Sequence, residues 1–137
     1  EAALAPWLSD LPGLDFEARR RSTCLAKDLA TVGGAAPASE TIGVGSVGAA
    51  LGLMYVLEGS TLGGRAIRKQ VTGQGGDMAG LSFLDPYGEA VGERWRSFLA
   101  VLDAEARTAA DTHAMVAGAV SGFRHAARRL CGAPVLG

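Results

Sequence analysis

The chain has 137 residues, 48% of them hydrophobic, and its 13 basic and 14 acidic residues leave a formal net charge of −1 at pH 7. This length and composition suffice for a single domain, residues 1–137, with a core of its own. The balanced charge gives no global field that would attract nucleic acid or an anionic membrane. No apolar run reaches the roughly 20 residues that cross a bilayer, and the first residues do not resemble a leader, so we expect a soluble, cytoplasmic protein without membrane contact.

The first part of the chain predicts two helical segments. Residues 1–8 are expected to be the end of a helix that closes before the turn at 12–13. Asp15 is the predicted N-cap of a second helix over 16–32, which the glycine pair 33–34 ends. Apolar residues at helical spacing form the face of this helix that we expect to be buried: Leu25, Leu29 and Val32.

The middle of the chain predicts a loop followed by one long helix. Residues 34–45 consist largely of Ala, Pro, Ser, Thr and Gly without a helical period, which is typical of a loop. Ser46 can cap the next helix, which is predicted to continue to about Val71 before the Gly-rich segment 72–76. Three glycines lie within this helix: Gly59, Gly63 and Gly64.

The last part predicts a loop and two more helices. Segment 77–88 mixes Gly and Pro with apolar residues, which favours a loop held by apolar anchors, and 89–103 has apolar residues at helical spacing. The final helix is predicted to end before Gly132 and Pro134, with one continuous apolar stripe along Ala106, Ala109, His113, Val116, Val120, Phe123, Ala127 and Leu130. No segment shows the period-two alternation of a strand. The predicted fold class is therefore all-α.

Residues that commonly bind metals are few. Cys24 and Cys131 are too few and too distant in sequence for a zinc site or a disulfide scaffold, so we expect both to be reduced. His113 lies on the apolar stripe of the last helix. The favoured interpretation is a core histidine bonded to a carbonyl, and the alternative is a ligand or general base. His125, with arginines around it, is expected at the surface.

The three glycines of the long helix need an explanation. Each costs about 1 kcal/mol relative to alanine, so Gly59, Gly63 and Gly64 together forgo roughly 3 kcal/mol of helix stability. Gly59 and Gly63 stand four residues apart on one face. A bare backbone there can admit a flat ligand, allow a bend, or let two helices cross closely, and the pattern alone does not choose among these.

The run Tyr-Val-Leu-Glu-Gly-Ser-Thr-Leu-Gly-Gly-Arg at 55–65 closely resembles the distal helix of the heme oxygenases, particularly the bacterial, biliverdin-producing branch associated with phytochromes. A looser similarity extends from Leu4 through 12–16 and 92–96 to the C-terminal helix. The resemblance implies a heme oxygenase-like multi-helix bundle with a Gly-kinked distal helix. It also implies oxidation of heme, both substrate and cofactor, to biliverdin, carbon monoxide and iron, with electrons from a ferredoxin or a reductase.

The same resemblance implies roles for residues of the distal helix. Gly59 and Gly63 would contact the porphyrin face through their backbone and leave room for dioxygen, and Gly64 would complete the bend. Ser60 stands where mammalian members have an aspartate that organises distal water, and its hydroxyl is expected both to donate to water and to accept from it. Tyr55 is expected either to reach a propionate or the water network, or to be a core aromatic.

Heme also carries two propionates, which need cationic partners. By its position in the resemblance Arg96 is the best candidate, with a solvated helix face as the equal alternative. Trp95 and Phe98 would cover the porphyrin edge. Glu58, beside Gly59, is a conceivable proton donor, but at its helical angle we expect a surface-facing carboxylate.

In the resembled family the iron is held by a histidine in an N-terminal segment, so the proximal ligand is expected upstream of Glu1 and the chain is expected to be short relative to the family. His113 is the less favoured substitute. Two other functions remain open for a chain without that ligand: a non-catalytic heme- or bilin-binding protein, and a helical interaction protein.

Overall fold

The computed structural model describes residues 1–132, and over that range it contains helices and no strand, which confirms the all-α prediction. Three short 3-10 turns lie at Ala2–Leu4, Ser82–Leu84 and Gly88–Ala90. The α-helices in chain order are α1 (Ala5–Leu8), α2 (Phe16–Arg19), α3 (Ser22–Thr31), α4 (Val47–Gly73), α5 (Val91–Glu105) and α6 (Ala109–Cys131). No helix within the described range is long and apolar enough to cross a membrane.

Helix α4 is the axis of the fold. It begins as predicted at Ser46, whose side chain accepts a hydrogen bond from the Ala49 N–H at 3.0 Å. The helix continues through all three glycines to Gly73, and its most extensive packing partner is α6. Because the N-terminal part of α4 is buried and its C-terminal part is largely exposed, the glycine motif lies where the helix leaves the core.

The single helix predicted over 16–32 is wrong, because the chain breaks between α2 and α3. Arg20 is extended there, with φ −70° and ψ 134°. Arg19 and Arg21 are both only 2% exposed. Residues two apart in a continuous helix point to nearly opposite sides, so a break is what allows both guanidinium groups to face the core.

The start of α2 also differs from a capped helix end. Asp15 precedes the helix as predicted, but it adopts a left-handed conformation with φ 52°, and its side chain makes no capping hydrogen bond. A non-glycine residue in this region is uncommon, and aspartate tolerates it better than most.

The predicted apolar faces of α3 and α6 are not the buried faces. On α3, Leu25 and Val32 are exposed, and Asp28 is buried because its carboxylate accepts hydrogen bonds from Ser82 and Phe83. On α6, the residues buried against α4 are Gly118 and Gly122. The exposed large residues of the α6 stripe are Val116, Val120, Phe123 and Leu130.

Helix α6 begins three residues later than predicted, because Thr108 and Asp111 form a capping box in which each side chain bonds the other's backbone N–H. Gly132 closes the helix with φ 62°. The predicted terminator Pro134 lies outside the described residues. Both cysteines are free, Cys24 half-buried and Cys131 exposed.

The buried core lies between the N-terminal segment, the first half of α4 and α5. Its members are Leu4, Leu8, Leu14, Phe16, Ala50, Leu51, Leu53, Met54, Phe98 and Val101. The loop over 34–45 is confirmed, and segment 77–90 contains only short 3-10 turns. This second loop is held at one side of α4 by apolar contacts and by hydrogen bonds to α3.

Candidate functional site

Four glycines lie along one face of α4 but meet different surroundings. Gly48, Gly52, Gly59 and Gly63 are spaced by four, seven and four residues, which keeps them on the same side of the helix. A Cβ at Gly52 would overlap the Met115 carbonyl oxygen, because α6 crosses there in backbone contact. A Cβ at Gly63 would meet no atom within 4 Å in the described part of the chain.

The close-crossing explanation of glycine therefore applies to the first half of α4 and not to Gly63. At Gly59, an added Cβ would stand 3.8 Å from the Trp95 ring of α5, an ordinary contact distance. Neither Gly59 nor Gly63 is required by helix packing. The two residues form an open strip of bare backbone just beyond the point where α6 leaves α4.

Gly64 has a different neighbour from Gly59 and Gly63. It is buried, and a Cβ there would overlap the Leu84 carbonyl of the 3-10 turn. Close packing of the loop on α4 thus accounts for Gly64. The structure puts it on another side of the helix from the open strip.

Aromatic rings border the open strip. The Tyr55 and Trp95 ring centroids are 5.4 Å apart at 54°, and those of Trp95 and Phe98 are 6.0 Å apart. Tyr55 is 36% exposed. It also lines a groove of about 300 Å³ whose other residues are Gly52, Leu102, Met115, Val116, Ala119, Val120 and Phe123. The surface next to the glycines is therefore aromatic and aliphatic, as a flat apolar ligand requires.

Ser60 is exposed and bonded to a buried cation. Its Oγ accepts from Nη2 of Arg21 at 2.9 Å and donates to the Leu57 carbonyl at 2.7 Å. Arg21 also donates to the carbonyls of Leu57 and Phe83, and its guanidinium carbon lies 4.3 Å from the Phe83 ring centroid. Burial lowers the pKa of the Arg21 guanidinium below its ordinary value. It remains protonated at neutral pH, as arginine does in proteins.

Glu58 is buried, and the expected surface-facing carboxylate is wrong. Its Oε2 accepts from Arg19 at 2.6 Å and its Oε1 accepts from the Tyr87 hydroxyl at 2.7 Å, with the residue only 1% exposed. Arg19 additionally donates to the Leu14 carbonyl, the Arg94 carbonyl and the Ser97 hydroxyl. With its ion pair and phenol contact, Glu58 connects the helix next to Gly59 to α2, α5 and the loop.

Sequence reasoning missed the roles of Arg19 and Arg21. The available signal was the run of three arginines at 19–21, which a continuous amphipathic helix cannot bury. Only the break after α2 makes that burial possible.

Arg96 is exposed on α5 and makes no ion pair with any residue in 1–132. Its neighbour Arg94 approaches Asp15 at 3.8 Å and lies over the Tyr87 ring at 5.4 Å. Of these two arginines, Arg96 is the one whose charge is not engaged by another described residue.

The two histidines lie on α6, away from the groove beside Tyr55. His113 is exposed, so the expected core histidine is wrong, and it lines a surface groove with Val116, Arg124 and Arg128. His125 is half-buried, not fully at the surface as expected, and lines a separate cavity with Glu1, Glu40 and Leu57. The described residues contain no cluster of three or more potential metal ligands.

Comparison with known proteins gives one clear relative. No family model matches the chain, and no solved structure matches it. The heme oxygenase of Xanthomonas campestris pv. campestris (strain 8004) is 35% identical over 128 residues, a region that covers 91% of this chain and 76% of the relative. With this identity and coverage, the chain belongs to the heme oxygenase family, as its distal-helix sequence predicted.

Proposed function

We propose that this protein is a heme oxygenase of the bacterial, phytochrome-associated branch and opens heme to biliverdin, carbon monoxide and iron. Family membership and the name of the relative support this reaction. The structural observation that carries it is the open strip at Gly59 and Gly63, where the chain accepts the helix cost of glycine without any packing need.

The residues present fit a porphyrin. Gly59 and Gly63 are about 6 Å apart along the helix axis and together offer a flat, side-chain-free surface. Trp95 borders the strip at Gly59, and Tyr55 continues it into the apolar groove. A Cβ or a larger side chain at Gly63 would fill the space that a macrocycle needs, so this is a cradle of the kind that glycine alone provides.

In this proposal heme supplies the iron that activates dioxygen and is itself the molecule oxidised. The protein orients the macrocycle against the bare backbone of α4 and excludes water with the rings of Tyr55 and Trp95. Ser60 holds ordered water at the distal side. Arg96 carries the charge that pairs with a propionate, since it is exposed and engaged by no described carboxylate.

The iron ligand in this proposal is neither of the two histidines of α6. His113 and His125 line a groove and a cavity that do not include Gly59, Gly63 or Trp95. We place the proximal histidine upstream of Glu1, as in the family. Electrons come from a ferredoxin or a reductase, and the reaction takes place in the cytoplasm.

A heme titration followed in the Soret band tests the proposal, with Gly63→Leu as the decisive variant. The new side chain would occupy open space in the apo protein, so folding should be retained while heme binding is lost. Gly73→Leu is the matched control, because that glycine is also in α4 and also meets nothing within 4 Å. Equal heme affinity of the two variants would refute the distal-face assignment.

The catalytic step needs a separate measurement. Parent protein loaded with heme and supplied with a reductant and oxygen should lose the Soret band and gain biliverdin absorbance. Stable heme binding without biliverdin would instead support the alternative, a non-catalytic heme- or bilin-binding protein. Absence of heme binding by the parent would leave the helical interaction protein.

A further inference from the structure

The side chain of Arg21 is a buried cation without a carboxylate partner. It is 2% exposed, and no described carboxylate lies within ion-pair distance of it. Its Nη atoms donate to the carbonyls of Phe83 and Leu57 and to the Ser60 hydroxyl, and its Nε has no partner. Burying a charge in this way is costly, so a role beyond packing is worth testing.

The contact with Arg21 determines what Ser60 can offer to solvent. A serine hydroxyl has one proton to donate and two lone pairs. The proton is directed to the Leu57 carbonyl and one lone pair receives the Arg21 N–H, which leaves a single lone pair. The sequence led us to expect a hydroxyl that both donates and accepts. In the structure it is available as an acceptor only.

We infer that Arg21 is a positioning residue of the distal face, which holds the Ser60 hydroxyl as a hydrogen-bond acceptor toward pocket water. The inference rests on the proposed function. A water next to Ser60 would give one hydrogen to its Oγ and keep the other hydrogen for the ligand side of the pocket. Without Arg21 the hydroxyl could rotate and donate, and this fixed water orientation would be lost.

The guanidinium fork is what this geometry uses. Arginine reaches the Phe83 carbonyl through Nη1, and Leu57 and Ser60 through Nη2, from one planar group stacked on the Phe83 ring. A lysine ammonium keeps the charge but is a single point and cannot serve carbonyls on both sides. The substitution Arg21→Lys therefore separates charge from orientation.

The test uses carbon monoxide as the probe ligand on ferrous heme in the full chain, with the C–O stretch measured by infrared spectroscopy. The stretch reports hydrogen-bond donation at the distal side. We expect Arg21→Met and Ser60→Ala each to shift the band to higher wavenumber, and the double variant to shift it no further. Arg20→Met is the matched control, because that half-exposed neighbour pairs with Glu17 and should leave the band unchanged.

Folding is followed in parallel by urea unfolding of each apo variant. If Arg21→Met does not fold, Arg21→Lys replaces it, with the same shift expected from loss of the fork. A parent that fails to bind heme overturns the proposed function. A parent that binds heme, with an unchanged C–O band in the Arg21 variant and a shifted band in Ser60→Ala, overturns the inference alone.

Discussion

Arg19 and Glu58 form a fully buried ion pair, with Nη1 of the arginine 2.6 Å from Oε2 of the glutamate and each side chain 1% exposed. The pair joins α2 to α4 immediately before Gly59. Both charges are also hydrogen-bonded, the arginine to Leu14 and Ser97 and the glutamate to Tyr87. Buried charges persist only with such partners, so the network anchors the helix beside the glycine strip.

Removing one partner of this pair should be strongly destabilising. Arg19→Met leaves the Glu58 carboxylate buried without its cation, and we expect the free energy of unfolding to fall by about 3–5 kcal/mol in urea titrations. The surface pair Arg129–Glu40 has the same 2.6 Å separation with both side chains largely exposed, so Arg129→Met should cost no more than about 1 kcal/mol. Equal losses at the two sites would contradict this account.

The stability of the protein should fall at high pH because of Tyr87. Burial, then the hydrogen bond to Glu58, raises the pKa of this phenol above its ordinary value of 10.0. Above pH 10 the unfolded chain releases this proton and the folded chain keeps it, so the free energy of unfolding should drop by about 1.4 kcal/mol per pH unit. Below pH 10 this group contributes no pH dependence.

Tyr87→Phe is the matched variant for that pH dependence. It should lose about 1–3 kcal/mol at neutral pH, because one oxygen of Glu58 then lacks a partner. It should also show a shallower decline between pH 10 and 11 than the parent. Parallel declines in urea midpoints for the two proteins would remove Tyr87 as the cause.

The crossing of α4 and α6 should tolerate no side chain at Gly52. Gly52→Ala would force the added methyl into the Met115 backbone, and we expect a loss of about 1–3 kcal/mol or more from overpacking. Gly73→Ala, in open space on the same helix, should instead gain up to about 1 kcal/mol. Thermal or urea unfolding of both variants checks the contrast, and a stabilised Gly52→Ala would show that the helices are not in backbone contact.

A charge reversal at Arg96 should weaken heme binding. Arg96→Glu removes a charge-assisted contact to a propionate and adds repulsion, so the loss should be about 1–3 kcal/mol in a Soret titration at low salt. Arg128→Glu, on the exposed side of α6 beside His113, is the control with the same charge change. Identical affinities for the two variants would exclude Arg96 from the site.

Heme ligation should not depend on His113. The side chain is exposed and lines a groove without any residue of the glycine strip, so His113→Ala should leave the Soret position and the heme affinity of the parent unchanged. His125→Ala is the companion variant, since that residue lines a different cavity. Loss of the parent's Soret signature in either variant would move the iron to α6 and displace it from Gly59 and Gly63.

Local chemistry determined much of the fold from the sequence. The Ser46 cap, the loop over 34–45 and the helical class depend on short-range hydrogen bonds and on periodicity, and all three are confirmed. The distal-helix sequence at 55–65 also predicted the family that the Xanthomonas relative shows. These features need no knowledge of which helix meets which.

The buried charges and the buried faces were decided by tertiary structure. Glu58 looked like a surface carboxylate because its helical angle says nothing about Arg19, which is 39 positions earlier and faces inward only after a break in the chain. The α6 stripe at Val116 and Phe123 looked like a core face because periodicity cannot show that the glycines Gly118 and Gly122 are the residues in contact with α4. Close backbone approach and ion pairing are long-range facts, and no local pattern encodes them.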